Sequence, residues 1–201
     1  GCRKKGSAIA AACQLLCWSE LVLSDRMGKW SVTEASTLRE FLGVRRDLDK
    51  LALACYFAEM AEVLSVEGMP SPGLLSLTLN SLHALECLDR PPEQIKAVFE
   101  LKAMCLAGYE PLIEGCALCG EEDPEQGWFH LQEGVLCCAR CRESGDGWVP
   151  LTPGMLAAMR HVVYGDDKRL FSFRLEGADL SCLSHVCQRF LTTQLDRGFR
   201  T

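Results

Sequence analysis

The chain has 201 residues, 48% of them hydrophobic, and a formal net charge of −6. That is a globular composition long enough for one domain or two small ones, and the acidic balance argues against a strongly basic nucleic-acid binder. Glu, Asp or Arg interrupts the longest apolar stretches, so no segment reads as a membrane span.

Charge is unevenly distributed. Residues 1–50 carry nine Lys/Arg against six Asp/Glu, residues 51–111 three against eight, residues 112–149 two against eight, and residues 150–201 seven against five. A polyanion should therefore approach the terminal regions and avoid the acidic middle.

In chain order, Arg3, Lys4 and Lys5 form a small basic opening, and the Ala-rich run from Ala8 to Leu16 predicts a short helix. Ser19 to Val32 contains two strand-like pieces around a turn at Asp25-Arg26-Met27-Gly28. Two strands do not make a stable sheet unaided, so this segment is expected to pack on helices or to end a β-domain begun elsewhere. Trp18 and Trp30 could stack bases, but aromatics on short strands more often fill a core.

From about residue 46 the period becomes helical. Leu48, Leu51, Ala52, Cys55, Phe57, Met60, Val63 and Leu64 predict a helix stopped by Gly68 and Pro70. A Leu-rich helix is expected from Pro72 to about Leu88, and a third, opened by Pro91-Pro92, to about Gly108. Two more are expected at Pro153 to Tyr164, behind the N-cap Thr152, and at Leu180 to Leu195, behind Asp179. Short connections imply an antiparallel bundle.

Between the third and fourth of these helices stand Cys116-Ala-Leu-Cys119 and Cys138-Ala-Arg-Cys141, two C-x-x-C knuckles with eighteen residues between them. Each knuckle lets two thiolates converge on one ion, and two complete a tetrahedral four-cysteine shell suited to one structural Zn2+. A closed shell leaves no position for substrate or catalytic water. Cys137 could replace Cys138 with a three-residue spacer, although the two-residue knuckle is the tighter template. His130 is an alternative ligand that four cysteines do not require. Trp128, Phe129 and Leu131 are strand-like and Gly134 turns the chain back, so a short hairpin is expected between the knuckles. The other reading of the four cysteines is buried small hydrophobes or redox thiols.

Most of the remaining cysteines, among thirteen in all, fall in apolar helical runs. With an odd total and no signal-peptide pattern, a reducing cytoplasm is expected. His83, His161 and His185 lack a second histidine at i+4 and read as core-edge or surface residues. Glu121-Glu122 and Asp166-Asp167 read as solvated charge on loops. No phosphate-cradling Gly loop, G-x-S-x-G elbow or H-E-x-x-H helix is present, so an enzyme is not expected.

Several runs together resemble one family. They are Arg3-Lys4-Lys5-Gly6-Ser7 with Leu16 to Leu23, Asp47 to Ala52 leading to Tyr56-Phe57-Ala58-Glu59-Met60, Phe99 to Lys102 continuing through Leu106 to Pro111 into Cys116 to Gly120, and Gly134-Val135-Leu136 before Cys138 to Cys141. They are similar to the RecO family of bacterial DNA-repair proteins, over nearly the whole chain. The resemblance implies a mainly α fold, an antiparallel helical domain with an inserted four-cysteine zinc-ribbon-like loop, preceded by part of a small β (OB) domain whose first strands the chain lacks. Expected divisions are a partial OB domain at 1–40, a helical domain at 41–115 and 150–201, and the zinc-binding insertion at 116–149. It further implies a non-catalytic recombination mediator of the bacterial cytoplasm and nucleoid. Such a protein binds single- and double-stranded DNA, anneals complementary strands, engages RecR and the C-terminal tail of the single-stranded-DNA-binding protein, and indirectly serves RecA loading.

The candidate phosphate contacts are Arg3, Lys4, Lys5, Arg45 and Arg46, because clustered cations neutralise backbone charge without reading sequence. For Arg45-Arg46 a solvated basic surface is an equal alternative. Arg140 and Arg142 are expected to compensate the charge of the zinc–thiolate complex. Two further readings compete: an interaction module whose helices present an apolar, basic-rimmed groove to an acidic peptide tail, and a thiol-redox switch at the knuckles.

Overall fold

The computed structural model describes residues 8–195, over which the chain forms seven helices, five strands and one 3-10 turn. It divides into two units, residues 1–54 and 55–201, the boundary falling inside helix α3.

The first unit holds α1 (Ala8–Ala12), β1 (Trp18–Arg26), β2 (Lys29–Arg39), α2 (Leu42–Arg45) and the start of α3 (Leu48–Leu64). Helix α1 stops at Ala12, short of the expected Leu16, where the backbone turns left-handed at φ 57°. Ser19 Oγ donates to Ala12 O at 2.7 Å and holds the chain end of the helix to the first strand. The hairpin turn forms at Met27-Gly28, both with positive φ (54° and 75°), the two-residue geometry whose twist matches antiparallel strands. Strand β2 runs on to Arg39 instead of ending near Val32, because Thr33 to Arg39 continue the ladder to Trp18. Trp18 and Trp30 do not fill a core: they are 41% and 70% exposed.

The second unit continues with α4 (Pro72–Cys87), α5 (Pro92–Leu106), β3 (Gly127–His130), β4 (Val135–Cys138), β5 (Trp148–Leu151), α6 (Pro153–Tyr164) and α7 (Gly177–Leu195). Proline at the first position opens α4, α5 and α6, where its missing N–H has no intrahelical partner to lose. Thr152 caps α6 as expected, its hydroxyl accepting from Met155 N at 3.2 Å. Helix α7 begins at Gly177, three residues before the expected start, so Asp179 lies in its first turn.

Helix α5 packs against α4, α6 and α7. Phe99 on α5 stacks on Phe57 of α3 at 4.2 Å between ring centroids, and both are fully buried. The three short strands form one antiparallel sheet in the order β4-β3-β5. The expected hairpin is β3-β4, with Trp128 opposite Cys137 and His130 opposite Val135. Strand β5 carries Pro150, which is tolerated because the strand lies at the sheet edge. Gly134 turns the hairpin at φ 66°, and a Cβ there would lie 3.5 Å from the ring of Phe190. Phe190 of α7 in turn meets Phe129 edge-on at 5.3 Å, which seats the sheet on the helices.

One charged side chain sits inside this core. Glu100 of α5 is fully buried, accepts from the Tyr56 hydroxyl at 2.5 Å and pairs with Lys96 Nζ at 2.8 Å, while its Oε2 has no hydrogen-bond partner. Burial raises the Glu100 carboxyl above its ordinary value of 4.5, against the opposing pull of Lys96 and of the Tyr56 hydrogen bond. As pH rises from 4.5 through the raised folded value, the unfolded chain has released a proton that the folded one still holds, so this group's contribution to stability falls across that window. Glu100→Gln should remove that slope. Urea unfolding of variant and wild type at a series of pH values should show their difference moving in the variant's favour with rising pH, then levelling; a constant difference would refute it.

Candidate metal centre

The two knuckles meet because a strand carries one and supports the other. Strand β4 ends at Cys138, and the chain then turns tightly, with Cys141 N and Arg142 N both donating to Cys138 O at 3.1 and 3.0 Å. Along the outer side of β4, Leu112 bridges to Val135 in parallel and Ala117 N donates to Leu136 O at 2.7 Å. The first knuckle is thereby hung beside the second. Its own turn is closed by Gly120 N to Cys116 O and Cys116 N to Glu121 O, both 2.8 Å.

The result is a cluster in which the sulfurs of Cys116, Cys119, Cys138 and Cys141 all lie within 4.8 Å of one another. The Cys119 and Cys138 sulfurs are 3.8 Å apart. A tetrahedron with zinc–sulfur bonds of about 2.3 Å has edges of about 3.8 Å, so the donor set fits a four-coordinate thiolate site and is compatible with structural zinc. Cys116 and Cys138 are buried, Cys141 is half-buried and Cys119 is exposed.

The thiols differ in how readily they ionise. Burial pushes the Cys116 thiol up, but the backbone N–H groups of Cys119, Cys138 and Leu118 outweigh it and hold the group at about 6. Cys141 is pushed up to about 12, first by its hydrogen bond to Cys119 and then by that to Cys138. Sulfurs this close resist becoming thiolates together, and a bound dication relieves that conflict.

Cys137 does not belong to the group of four. It stands opposite Trp128 on β4, is buried in one cluster with Cys116 and Cys138, and its thiol is pushed up first by burial and then by the neighbouring Cys116. His130 is engaged elsewhere, its Nδ1 accepting from Glu133 N at 3.2 Å and its ring edge-on to Trp148 at 4.7 Å. Arg140 pairs with Glu121 at 3.1 Å and also hydrogen-bonds the Cys138 sulfur. Arg142 instead lies over the Trp128 ring, 3.9 Å from its centroid. Of the other sequence candidates, Arg3, Lys4 and Lys5 lie outside the described residues. Arg45 turns to its own unit, donating to Leu15 O and to Cys17 Sγ at 3.0 Å, whereas Arg46 is exposed.

Two residues of α6 that sequence reasoning passed over hold the first knuckle in place. Arg160 donates to the carbonyls of Ile113 (2.8 Å), Glu114 (2.7 Å) and Glu122, and its Nη1 meets Asp123 Oδ1 at 2.7 Å. Tyr164 donates to Pro111 O and accepts from Ile113 N, each at 3.0 Å. Their i, i+4 spacing puts both on one helix face, but nothing in the sequence says what that face meets.

Residues 45–201 match the family model described as Recombination protein O C terminal. A protein named DNA repair protein RecO from Acetivibrio thermocellus is 31% identical over 199 residues, covering 99% of this chain and 79% of the relative. Proteins of the same name from Symbiobacterium thermophilum and Desulfitobacterium hafniense are 27% and 29% identical, covering 100% of this chain and 81% and 74% of their own lengths.

The Arg160 clamp is open to direct test. Arg160→Ala should lower unfolding free energy by about 2–3 kcal/mol, from charge-assisted bonds to carbonyls left without that donor. Hydrogen exchange should accelerate most over residues 112–123, and equal acceleration throughout α5 would contradict a local clamp.

Proposed function

The chain belongs to the RecO family of DNA repair proteins, and on that premise we propose that it is a non-catalytic mediator that binds single- and double-stranded DNA, promotes annealing of complementary strands and assists RecA loading with RecR and the single-stranded-DNA-binding protein. Its role in DNA repair and recombination rests on that membership. The observation that carries the finer reading is the family match through residues 45–201. Residues 1–40 are proposed as part of an OB domain, residues 41–115 and 150–201 as the helical domain, and 116–149 as its metal-binding insertion. No helix among the described residues is long and apolar enough to cross a membrane, and the proposed setting is the bacterial cytoplasm, at the nucleoid.

DNA contact is proposed for Arg3, Lys4, Lys5 and Arg46, supported by the net positive charge of residues 1–50 and the exposure of Arg46. Arg45 then serves chiefly to tie α2 to Leu15 and Cys17. Exposed Trp18 and Trp30 would supply stacking surfaces on the hairpin. One structural Zn2+ is proposed on Cys116, Cys119, Cys138 and Cys141, where it would cross-link the two knuckles and leave no open coordination position.

A second reading, binding of an acidic peptide tail such as that of the single-stranded-DNA-binding protein, has its own support. A cavity of about 530 Å³ is lined by apolar Leu88 and Phe171 together with His83, Arg90 and Lys168. Its one carboxylate, Asp167, is paired with Lys102 at 2.8 Å.

Titration of the full chain with labelled single-stranded DNA across a salt series tests the first reading. Replacing Arg3, Lys4 and Lys5 together by Ala should weaken binding and reduce the log–log salt slope by about 2, at roughly 0.7 for each phosphate no longer neutralised. An unchanged slope would remove those residues from the interface. For the metal, Cys138→Ser should lose bound zinc on purification under reducing conditions while Cys137→Ser retains it, as measured by elemental analysis; the reverse result would reassign the fourth ligand.

A further inference from the structure

A cleft of about 680 Å³ opens between the first knuckle and α6, with Leu112, Glu114, Glu122, Asp123, Arg160 and Tyr164 on its walls. Its apolar parts face water: Leu112 is 65% and Tyr164 40% exposed. Leu118, in the turn of the neighbouring knuckle, is 67% exposed.

The charges around the cleft are one-sided. Arg160 is its only cationic side chain among the described lining residues, and its guanidinium is taken up by the carbonyls of Ile113, Glu114 and Glu122 and by Asp123. The carboxylates of Glu114 and Glu122 have no ion pair among the described residues. The wider segment, residues 112–149, has eight acidic residues and two basic ones. Both of those arginines are also engaged, Arg140 with Glu121 and Arg142 with the Trp128 ring. Such a field repels a polyanion and attracts a cation.

From this combination we infer that the cleft seats a segment of a partner protein bearing lysine or arginine beside an aliphatic residue. The apolar stem of the cation lies along Leu112 and the Tyr164 ring while its head reaches Glu114 and Glu122. The volume suits one or two side chains presented from an extended segment. The inference does not rest on the DNA-binding or peptide-tail readings, since it concerns a different surface and a partner of opposite charge.

The test uses the full chain with zinc present and a short fluorescent peptide of alternating lysine and leucine, followed by anisotropy. Peptides of lysine with serine, and of glutamate with leucine, should each bind at least about tenfold more weakly, a difference worth one factor of ten in the dissociation constant. Glu114→Gln with Glu122→Gln, and separately Leu112→Ser, should weaken the lysine–leucine peptide to a similar extent, while zinc content and melting temperature remain those of the wild type. Glu133→Gln with Glu143→Gln removes the same charge from exposed positions outside the cleft and should leave binding unchanged. Equal binding of the lysine–serine peptide would reduce the effect to diffuse electrostatics and overturn the inference. So would equal loss in the Glu133/Glu143 variant, or no loss in the cleft variants.

Discussion

Convergence of four cysteine sulfurs to within 4.8 Å is the constraint on which the order of residues 112–149 depends. The strands there are only four residues each, and segments below about 40 residues seldom order themselves by hydrophobic burial alone. Two supports act from the helical side. Phe190 packs on Phe129 from α7, and Arg160 and Tyr164 of α6 bond the backbone between Pro111 and Glu122. The sulfur cluster joins the two knuckles to each other, and the helices join the whole to the core. Neither support replaces the other, because Arg160 touches only the first knuckle's flanks.

Helix α5 occupies the corresponding position in the helical part. It is bounded by α4, α6 and α7, and its Phe99 and Glu100 both meet α3. Stacking of Phe99 on Phe57 is ordinary apolar packing, whereas Glu100 adds a polar constraint at the next residue. A buried carboxylate is costly unless satisfied. Tyr56 and Lys96 satisfy one oxygen and leave the other bare, so the pairing specifies how α3 meets α5 more than it adds stability.

Charge separates the possible partners of this chain. Its acidic four-cysteine segment is a poor surface for DNA, and a cysteine–zinc complex would add net negative charge there. The basic residues of the first fifty are the better candidates for phosphate contact. An acidic, partly apolar cleft beside the knuckles and a more basic cavity near Arg90 and Lys168 then favour partners of opposite sign.

Much of this was legible in the residues themselves. Prolines at helix starts, Leu and Phe at helical spacing, Thr152 as a cap and the Met27-Gly28 turn are local signals, and each marks its element because backbone sterics and hydrogen bonding act over a few residues. The C-x-x-C spacing likewise carries its chemistry within four residues. What the sequence alone determined, then, was the kind of elements and the candidate donors, with Cys137 and Cys138 both open for the fourth place. Only the tertiary structure decided that Cys137 packs on Cys116 without joining the four mutually close sulfurs, that Arg45 turns to Leu15 and Cys17, that Trp30 is exposed, and that Arg160 clasps the knuckle. Those outcomes depend on which face of an element meets which neighbour, and such contacts join residues tens of positions apart, beyond the reach of any local pattern.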